Sequence, residues 1–343
     1  MLIFENDSAS AAFWFAAEEY IIRHARPDEP VLMLWRTDDT IMLGANQIAE
    51  AECDTAYANS AGIKIVRRPS GGGAIFTDKG TLQVTVIRQY NGRQDEDNSG
   101  LSQACNDPAV ARELLAAPVL DALALYGVNA SLEGRNDILI DGKKVSGIAQ
   151  YVIGGYICSH CSLLFSADLE KLEKCLTANR EKFKTKAIAS LRARVANISD
   201  YIAEKDLQNF RDSLIKAYKG EQDFRHSRFS RKGKDETLHI ETIISEKYLN
   251  PGWIFGRAPA FTFTNKKRFP GGLLEVYLDV KGGVIKDARL SGDFLSLLPV
   301  ADFETKLVGV PHNAEALKKT LREIDVRSYL GSLDAKELME VLL

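Results

Sequence analysis

At 343 residues, with 44 Lys+Arg against 47 Asp+Glu and a formal net charge of -3, the chain is long enough for two domains. Hydrophobic residues at 45% and charged residues at 27% exclude a disordered chain, and the absence of a sustained heptad excludes a coiled coil. A pI near 6.0 lacks the whole-chain basic footprint of a nucleic-acid binder.

In chain order, Asp7 or Ser8 is placed to cap a helix whose apolar residues Ala12, Phe13, Ala16, Ala17, Tyr20 and Ile21 recur at helical spacing. Strands are expected at Val31–Arg36 and Thr40–Gly44, with Asp38-Asp39 turning between them. A polar helix over Glu50–Ala61 should end at Gly62. The strand Ile63–Arg68 then runs into Pro69-Ser70-Gly71-Gly72-Gly73. Thr81–Arg88 alternates, with Leu82, Val84 and Val86 on one face and Gln83 and Thr85 on the other. Tyr90–Asp107 is a polar surface loop, followed by a helix ending at Gly127, with Pro118 at its first turn or at a kink. Asn136–Phe165 reads as a β-meander with hairpin turns at Asp141-Gly142 and Gly154-Gly155. Helical patterns run from Asp168 to about Tyr218, and the charge-rich Lys219–Glu241 is an exposed connection or a helix-loop stretch. Beyond Trp253 come strands at Phe261–Thr264, Leu273–Val280 and Val284–Leu290, then helices at Asn313–Ile324 and Asp334–Leu342. The natural division is residues 1–248 and a small α+β unit at 249–343.

Five cysteines without a repeated spacing argue against a disulfide framework. The N-terminus has neither a basic n-region nor a long apolar run, and no stretch reaches the roughly 18 apolar residues that span a bilayer. A soluble cytoplasmic protein, monomeric and without nucleic-acid or membrane partners, is the expectation.

Four strings carry chemistry. In Arg67–Asp78 three consecutive glycines let backbone N–H groups approach a ligand, and two arginines supply charge suited to phosphate or carboxylate. The string is neither a P-loop nor a Rossmann fingerprint. It reads equally as an anion cradle or as a glycine-rich hairpin with solvated arginines. In Gly134–Gly147 strict period two puts Lys144 and Ser146 on one face, where the lysine can meet a carboxylate or phosphate; an exposed hairpin lysine is the plainer reading. Asn136-Asp137 serves as a metal or ribose contact, or merely starts the strand. Cys158-Ser159-His160-Cys161 invites a zinc or redox guess, but residues three apart on a strand face opposite sides. His160 shares its side with Cys158 and Ser162. Arg180–Arg194 is strongly basic, either a solvated face or a receiver for an acidic partner or polyphosphate.

Taken together and in order, these strings resemble the lipoate–protein ligase family. R-R-x-S-G-G-G-A-[VI]-[FY]-H-D is met over Arg67–Asp78, G-R-N-D-[IL] at Gly134–Ile138, [RK]-K-x-x-G at Lys143–Gly147 and H-x-x-L-L at His160–Leu164. The basic S-[LV]-R-[AS]-R-V-x-N-[IL] is met at Ser190–Ile198, and W-x-x-G-x-x-P-x-F at Trp253–Phe261. The resemblance implies an α/β (α+β) fold: a class II synthetase/biotin–lipoate ligase-like catalytic domain, its mixed sheet flanked by helices, plus an accessory domain that closes over or swings from the site. It implies that ATP and lipoate or octanoate form an acyl-adenylate, which a lysine of a lipoyl domain then attacks. Acceptors would be acyltransferase subunits of 2-oxoacid dehydrogenases or the glycine cleavage H protein. It places Arg68, Gly73, Ala74, Ile75, Phe76, Asp78, Asn136, Asp137 and Lys144 against ATP or the adenylate. Ser70, Gly71, Gly72, Lys144, Ser146, Gly147 and His160 fall to lipoate. Lys144, contacting acyl carbonyl and phosphate together, is the catalytic residue. Mg²⁺ rides on the nucleotide, with Asp137 as a possible ligand and no dedicated protein cage. Two positions depart from the pattern: Thr77 stands for the histidine of F-H-D, and Cys161 for the glycine after the motif histidine. Cys161 opens an alternative, ATP-independent octanoyl or lipoyl transfer through a cysteine thioester. Thr77 opens a second, a non-catalytic paralogue that binds lipoyl domains.

Overall fold

The computed structural model describes residues 1–90, 105–176, 194–219, 225–226, 234–256 and 261–343. Strands β1 (Leu2–Phe4), β2 (Val31–Trp35), β3 (Thr40–Leu43), β4 (Lys64–Arg67) and β5 (Ile75–Thr77) come first. They are followed by β6 (Thr81–Gln89), β7 (Ala130–Glu133), β8 (Asp137–Ile140), β9 (Lys143–Ile153), β10 (Tyr156–Leu164) and β11 (Arg225–His226). The main sheet has the order β11-β1-β2-β6-β10-β9-β8-β7. It is mixed: β1 is parallel to β2 and β11, and the other pairs are antiparallel. A smaller sheet, β4-β3-β5, carries the strand that leads into the glycine-rich loop.

The alternation of β6 comes out as read. Leu82, Val84 and Val86 join Cys161 and Leu163 of β10 in a core covered by the helices Pro108–Leu125 and Leu207–Lys219. The opposite face of the sheet packs on the helix Ala11–Tyr20. That helix is alanine-rich and buries Trp14 and Phe15, and full burial of a side chain such as Phe15 contributes about 1.5–3 kcal/mol. Its N-cap is Ser10, later than the expected Asp7 or Ser8, because Ser8 instead accepts from the Ser10 N–H in a preceding turn.

Two helix readings change. Glu50–Ala61 splits into Ala49–Glu52 and Thr55–Ser60, because the Asp54 side chain accepts from the Tyr57 N–H and so starts a second helix. Pro118 lies inside one continuous helix. Its i−4 residue is Leu114, which is exposed, so the carbonyl left without a donor sits where water reaches. Pro108, not Pro118, occupies the first turn.

β12 (Phe263–Phe269), β13 (Gly272–Lys281) and β14 (Val284–Gly292) form a separate antiparallel sheet with its own hydrophobic core. Four helices between Val300 and Leu342 cover it. Trp253 and Ile254, in the helix Pro251–Phe255, pack with the first part of the chain. Residues through Ile254 thus pack with the first part of the chain, and those from Phe263 on with the separate core. Much of the Tyr90–Asp107 loop and most of the Arg180–Arg194 run lie outside the described residues. No described helix is long and apolar enough to cross a membrane.

Candidate active site

The two arginines that open the glycine-rich string are turned inward, and this corrects the picture of a displayed cationic cradle. Arg67 is 1% exposed. Its guanidinium donates to the carbonyls of Gly44 (2.8 Å), Gln47 (2.6 Å), Trp253 (2.9 Å) and Ile254 (2.5 Å). Arg68 donates to Met42 O (2.9 Å), Gly71 O (2.8 Å), Gly73 O (2.7 Å) and Ser70 Oγ (3.1 Å). Burial beside Arg67 pulls its pKa down to about 10. Arg68 thus shapes the loop from within, since a backbone that must present its N–H groups outward needs its carbonyls gathered inward.

The glycines have separate reasons. A Cβ on Gly44 would stand 2.0 Å from Gly72 O, and one on Gly71 would stand 2.7 Å from Phe294 O. Gly72 adopts φ +88°. Gly73 faces open space and is exposed, followed by half-buried Ala74 and Ile75. Phe76 is 1% exposed and packs into the core of the smaller sheet, so its side chain lies away from a ligand. Asp78 accepts from Gly80 N (2.9 Å), Thr81 Oγ1 (2.9 Å) and Asp168 N (2.7 Å), which makes it a turn anchor. Thr77 pairs with Thr37 Oγ1 at 2.7 Å, a buried contact that fills the position of the motif histidine.

Lys144 reaches its place through a β-bulge. Leu139 pairs with Lys144 but Ile138 pairs with Ser146, so Val145 is the extra residue. The bulge breaks strict alternation, and Lys144 and Ser146 point to opposite faces, against expectation. Ser146 lies with Ile138 and Leu163 on the core side, its hydroxyl beside the Cys161 thiol. Lys144 instead joins Asp137, with Nζ 2.7 Å from Oδ1. A Cβ on Gly147, opposite Asp137, would stand 2.9 Å from that Nζ, so glycine makes the room for the ammonium. Asn136 Nδ2 donates to Ile148 O (2.8 Å) and fixes β9 behind the pair. The Ala196 N–H donates to Lys144 O at 3.0 Å, so the end of the Ser190–Ile198 motif docks along the lysine's backbone.

On the same face one strand over stands His160, 8% exposed, its Nε2 2.5 Å from Ser70 Oγ. Its Nδ1 lies 3.6 Å from Oε1 of the fully buried Glu18. Thr85 and Tyr151 hydroxyls donate to Glu18 at 2.8 and 3.2 Å. Burial and the neighbouring Glu18 hold the Cys158 thiol well above its usual range. Glu18 was missed in the sequence reading, although one signal was available: Trp14, Glu18 and Ile22 form an i, i+4, i+8 stripe with a carboxylate in an otherwise apolar helix face. Among the described residues one ligand-type atom each of Glu18, Cys158 and His160 lies within 4.8 Å of the others, so the three form a single buried polar cluster.

The second core closes the site. The Gly72 N–H donates to Phe294 O (3.0 Å), Asn46 Nδ2 to Ser296 Oγ (3.0 Å) and the Val152 N–H to Leu297 O (2.8 Å). Arg135 reaches Gly271 O. A glycine-rich loop, a strand lysine and a buried histidine thus share one sheet face under a second domain, a layout suited to holding an activated acyl group.

Family models place the chain in a defined class. Residues 10–219 match the lipoyl protein ligase A/B catalytic domain, and residues 258–342 match the bacterial lipoate protein ligase C-terminus. The lipoate-protein ligase LplJ of Bacillus subtilis is 32% identical over 330 residues, covering 95% of each chain. Lipoate–protein ligase 1 of Staphylococcus aureus is 30% identical over 341 residues, covering 99% of each. Among solved structures, a lipoate-protein ligase A bound with ATP superposes with a TM-score of 0.61 at 25% identity, covering 74% of this chain and 98% of that one. The chain belongs to the lipoate–protein ligase family, and it is a ligase.

Proposed function

We propose that this ligase activates lipoate, or octanoate, with ATP and Mg²⁺ to the acyl-adenylate and transfers the acyl group to a lysine of a lipoyl domain. The observation that carries the reading is the bulge that turns Lys144 onto the face shared by the glycine-rich loop and His160. Its support comes from the relatives named above, and from a solved bipartite ligase of Thermoplasma acidophilum, described with its E2 lipoyl domain, at 26% identity and TM-score 0.64 over 76% of this chain and 98% of that one. Attack of the acid's carboxylate on the α-phosphorus expels pyrophosphate and needs no protein nucleophile, so positioning and charge carry the step. Lys144 would neutralise charge on the phosphate and acyl oxygens. Gly73, exposed, together with the backbone of half-buried Ala74 and Ile75, would receive the nucleotide, and Gly71, Gly72 and Gly147 would line the acyl end. Mg²⁺ would ride on the phosphates, with Asp137 the carboxylate at hand. Acceptors would be acyltransferase subunits of 2-oxoacid dehydrogenases or a glycine cleavage H protein, met by a cytoplasmic, monomeric enzyme with domains divided near residue 250.

Incubating a recombinant lipoyl domain with the chain, ATP, and an equimolar set of lipoate, octanoate and longer acids tests this directly. Mass spectrometry should show one acyl adduct per lipoyl domain, dependent on ATP. An unmodified acceptor, or modification without ATP, would sink the reading.

The thioester alternative meets a geometric obstacle. Cys161 faces the core opposite to Lys144, is 2% exposed, and burial pushes its thiol up to about 12. A nucleophilic cysteine needs the thiolate and access, and Cys161 has neither. Cys161→Ser should therefore retain ligation within a few-fold, with a modest loss of stability from the buried hydroxyl, about 1–3 kcal/mol. Loss of transfer with adenylate formation intact would restore the thioester route.

A further inference from the structure

We propose that His160, held between Ser70 and Glu18, takes the proton of the incoming amine in the transfer half-reaction, with the fully buried Ser70 and Glu18 as the residues that position its ring. The inference rests on the ligase reading and adds a role that adenylate formation does not require. A carboxylate attacking phosphorus has no proton to lose. A lysine attacking an acyl-adenylate does, and with an ordinary pKa near 10.4 it arrives largely as ammonium at neutral pH. Something on the acyl face must accept a proton.

The geometry singles out one group. Lys144 must stay cationic to serve the phosphate, and Asp137 is engaged with it at 2.7 Å. His160 lies on the same face, opposite Ala149, two residues or about 7 Å of strand rise along β9 from the Gly147 that abuts Lys144 Nζ. Ser70 Oγ already accepts from Arg68 Nε at 3.1 Å, so its own proton is aimed at His160 Nε2, 2.5 Å away. The ring proton then belongs on Nδ1, which finds no hydrogen-bond partner of its own and faces Glu18 Oε1 at 3.6 Å. Glu18 is held in turn by Thr85 and Tyr151, and Cys158 completes the surroundings. A histidine held by a hydroxyl at one ring nitrogen and facing a buried carboxylate with the other is placed to take a proton from a reacting atom.

In the step, the ammonium first gives a proton to His160 Nε2, which parts from Ser70 Oγ, and the resulting imidazolium faces Glu18. The neutral amine nitrogen then attacks the acyl carbon and the C–N bond forms. The bond from that carbon to the phosphate oxygen breaks, AMP leaves with its electron pair, and the second N–H proton leaves with the AMP phosphate to solvent. His160 returns its proton to solvent when the site opens.

Two half-reactions measured on the full chain test the proposal: ATP–pyrophosphate exchange with lipoate, and single-turnover transfer from preformed lipoyl-adenylate to a lipoyl domain. General acid–base groups typically contribute 10²–10⁴-fold. His160→Gln should slow transfer at pH 7 at least tenfold more than it slows exchange, and the deficit should shrink toward pH 9 as the acceptor lysine deprotonates unaided. Ser70→Ala, which keeps the imidazole but removes the partner of its Nε2, should show the same split and keeps the test decisive should the histidine variant fold poorly. Equal losses in both half-reactions, or a transfer deficit indifferent to pH, would show a merely structural contact and overturn the proposal. A wild-type chain that performs neither half-reaction would overturn the ligase reading instead.

Discussion

Lys144→Ala should lower ATP–pyrophosphate exchange by about 10²–10³ in kcat, the usual loss when one charge-stabilising donor is removed from such a site. The expectation rests on how the side chain is placed. The bulge at Val145 turns it onto the face of Asp137 and Gly147, and the missing Cβ of Gly147 leaves room for the ammonium. Folding should barely change. Lys144 and Asp137 side chains are 37% and 36% exposed, and an ion pair that wet is worth only about 0–1 kcal/mol. A thermal melt beside the exchange assay separates the two effects. Lys144→Arg keeps the charge but brings a planar fork into a space cut for an ammonium, so it should rescue little. Exchange near the wild-type rate in the alanine variant would remove Lys144 from the chemistry.

Arg67→Ala should produce the opposite signature, a fold that fails before the chemistry is tested. The guanidinium gathers carbonyls from Gly44 and Gln47 near the glycine-rich loop and from Trp253 and Ile254 nearly two hundred residues away. Trp253 Nε1 donates back to Arg67 O at 3.0 Å. Truncation strands these buried acceptors and opens a cavity, and the loss should be on the order of 3–5 kcal/mol. Against a total of about 5–15 kcal/mol for a typical protein, that is a large fraction. Urea unfolding should show the midpoint falling sharply, and Arg67→Lys should recover only part, because one ammonium cannot span carbonyls on both sides. A variant with an unchanged midpoint would mean that the arginine is dispensable to the fold.

The two arginines show where sequence reasoning reached its limit. Arg67 and Arg68 follow one another at the end of β4, and side-by-side cations before a glycine run read naturally as an anion cradle. Arg67's donors are in fact taken by carbonyls far apart in sequence, a pairing that no local pattern encodes, and Arg68 turns back on its own loop and on Met42. Ser146 marks a second limit. Period two is sound for a regular strand, but one inserted residue reverses every side chain beyond it. Nothing in Asp141–Gly147 announces the bulge, which arises because Val145, Ile138 and Ile148 all seek the same core. The Glu18 network joins the first helix, β6, β9 and β10, and it exists only once the sheet is assembled.

What the chain determined by itself was local and periodic. The β6 alternation, the hairpins at Asp141-Gly142 and Gly154-Gly155, and the second core near the C-terminus follow from spacing and from glycines that adopt positive φ. The ordered motifs likewise carry the family resemblance by themselves. Tertiary structure alone decided which charges face the site and which hold it up. The reason is physical: a guanidinium or a carboxylate acquires its role from the partners and the burial around it, and those are assembled from segments that sequence distance keeps apart.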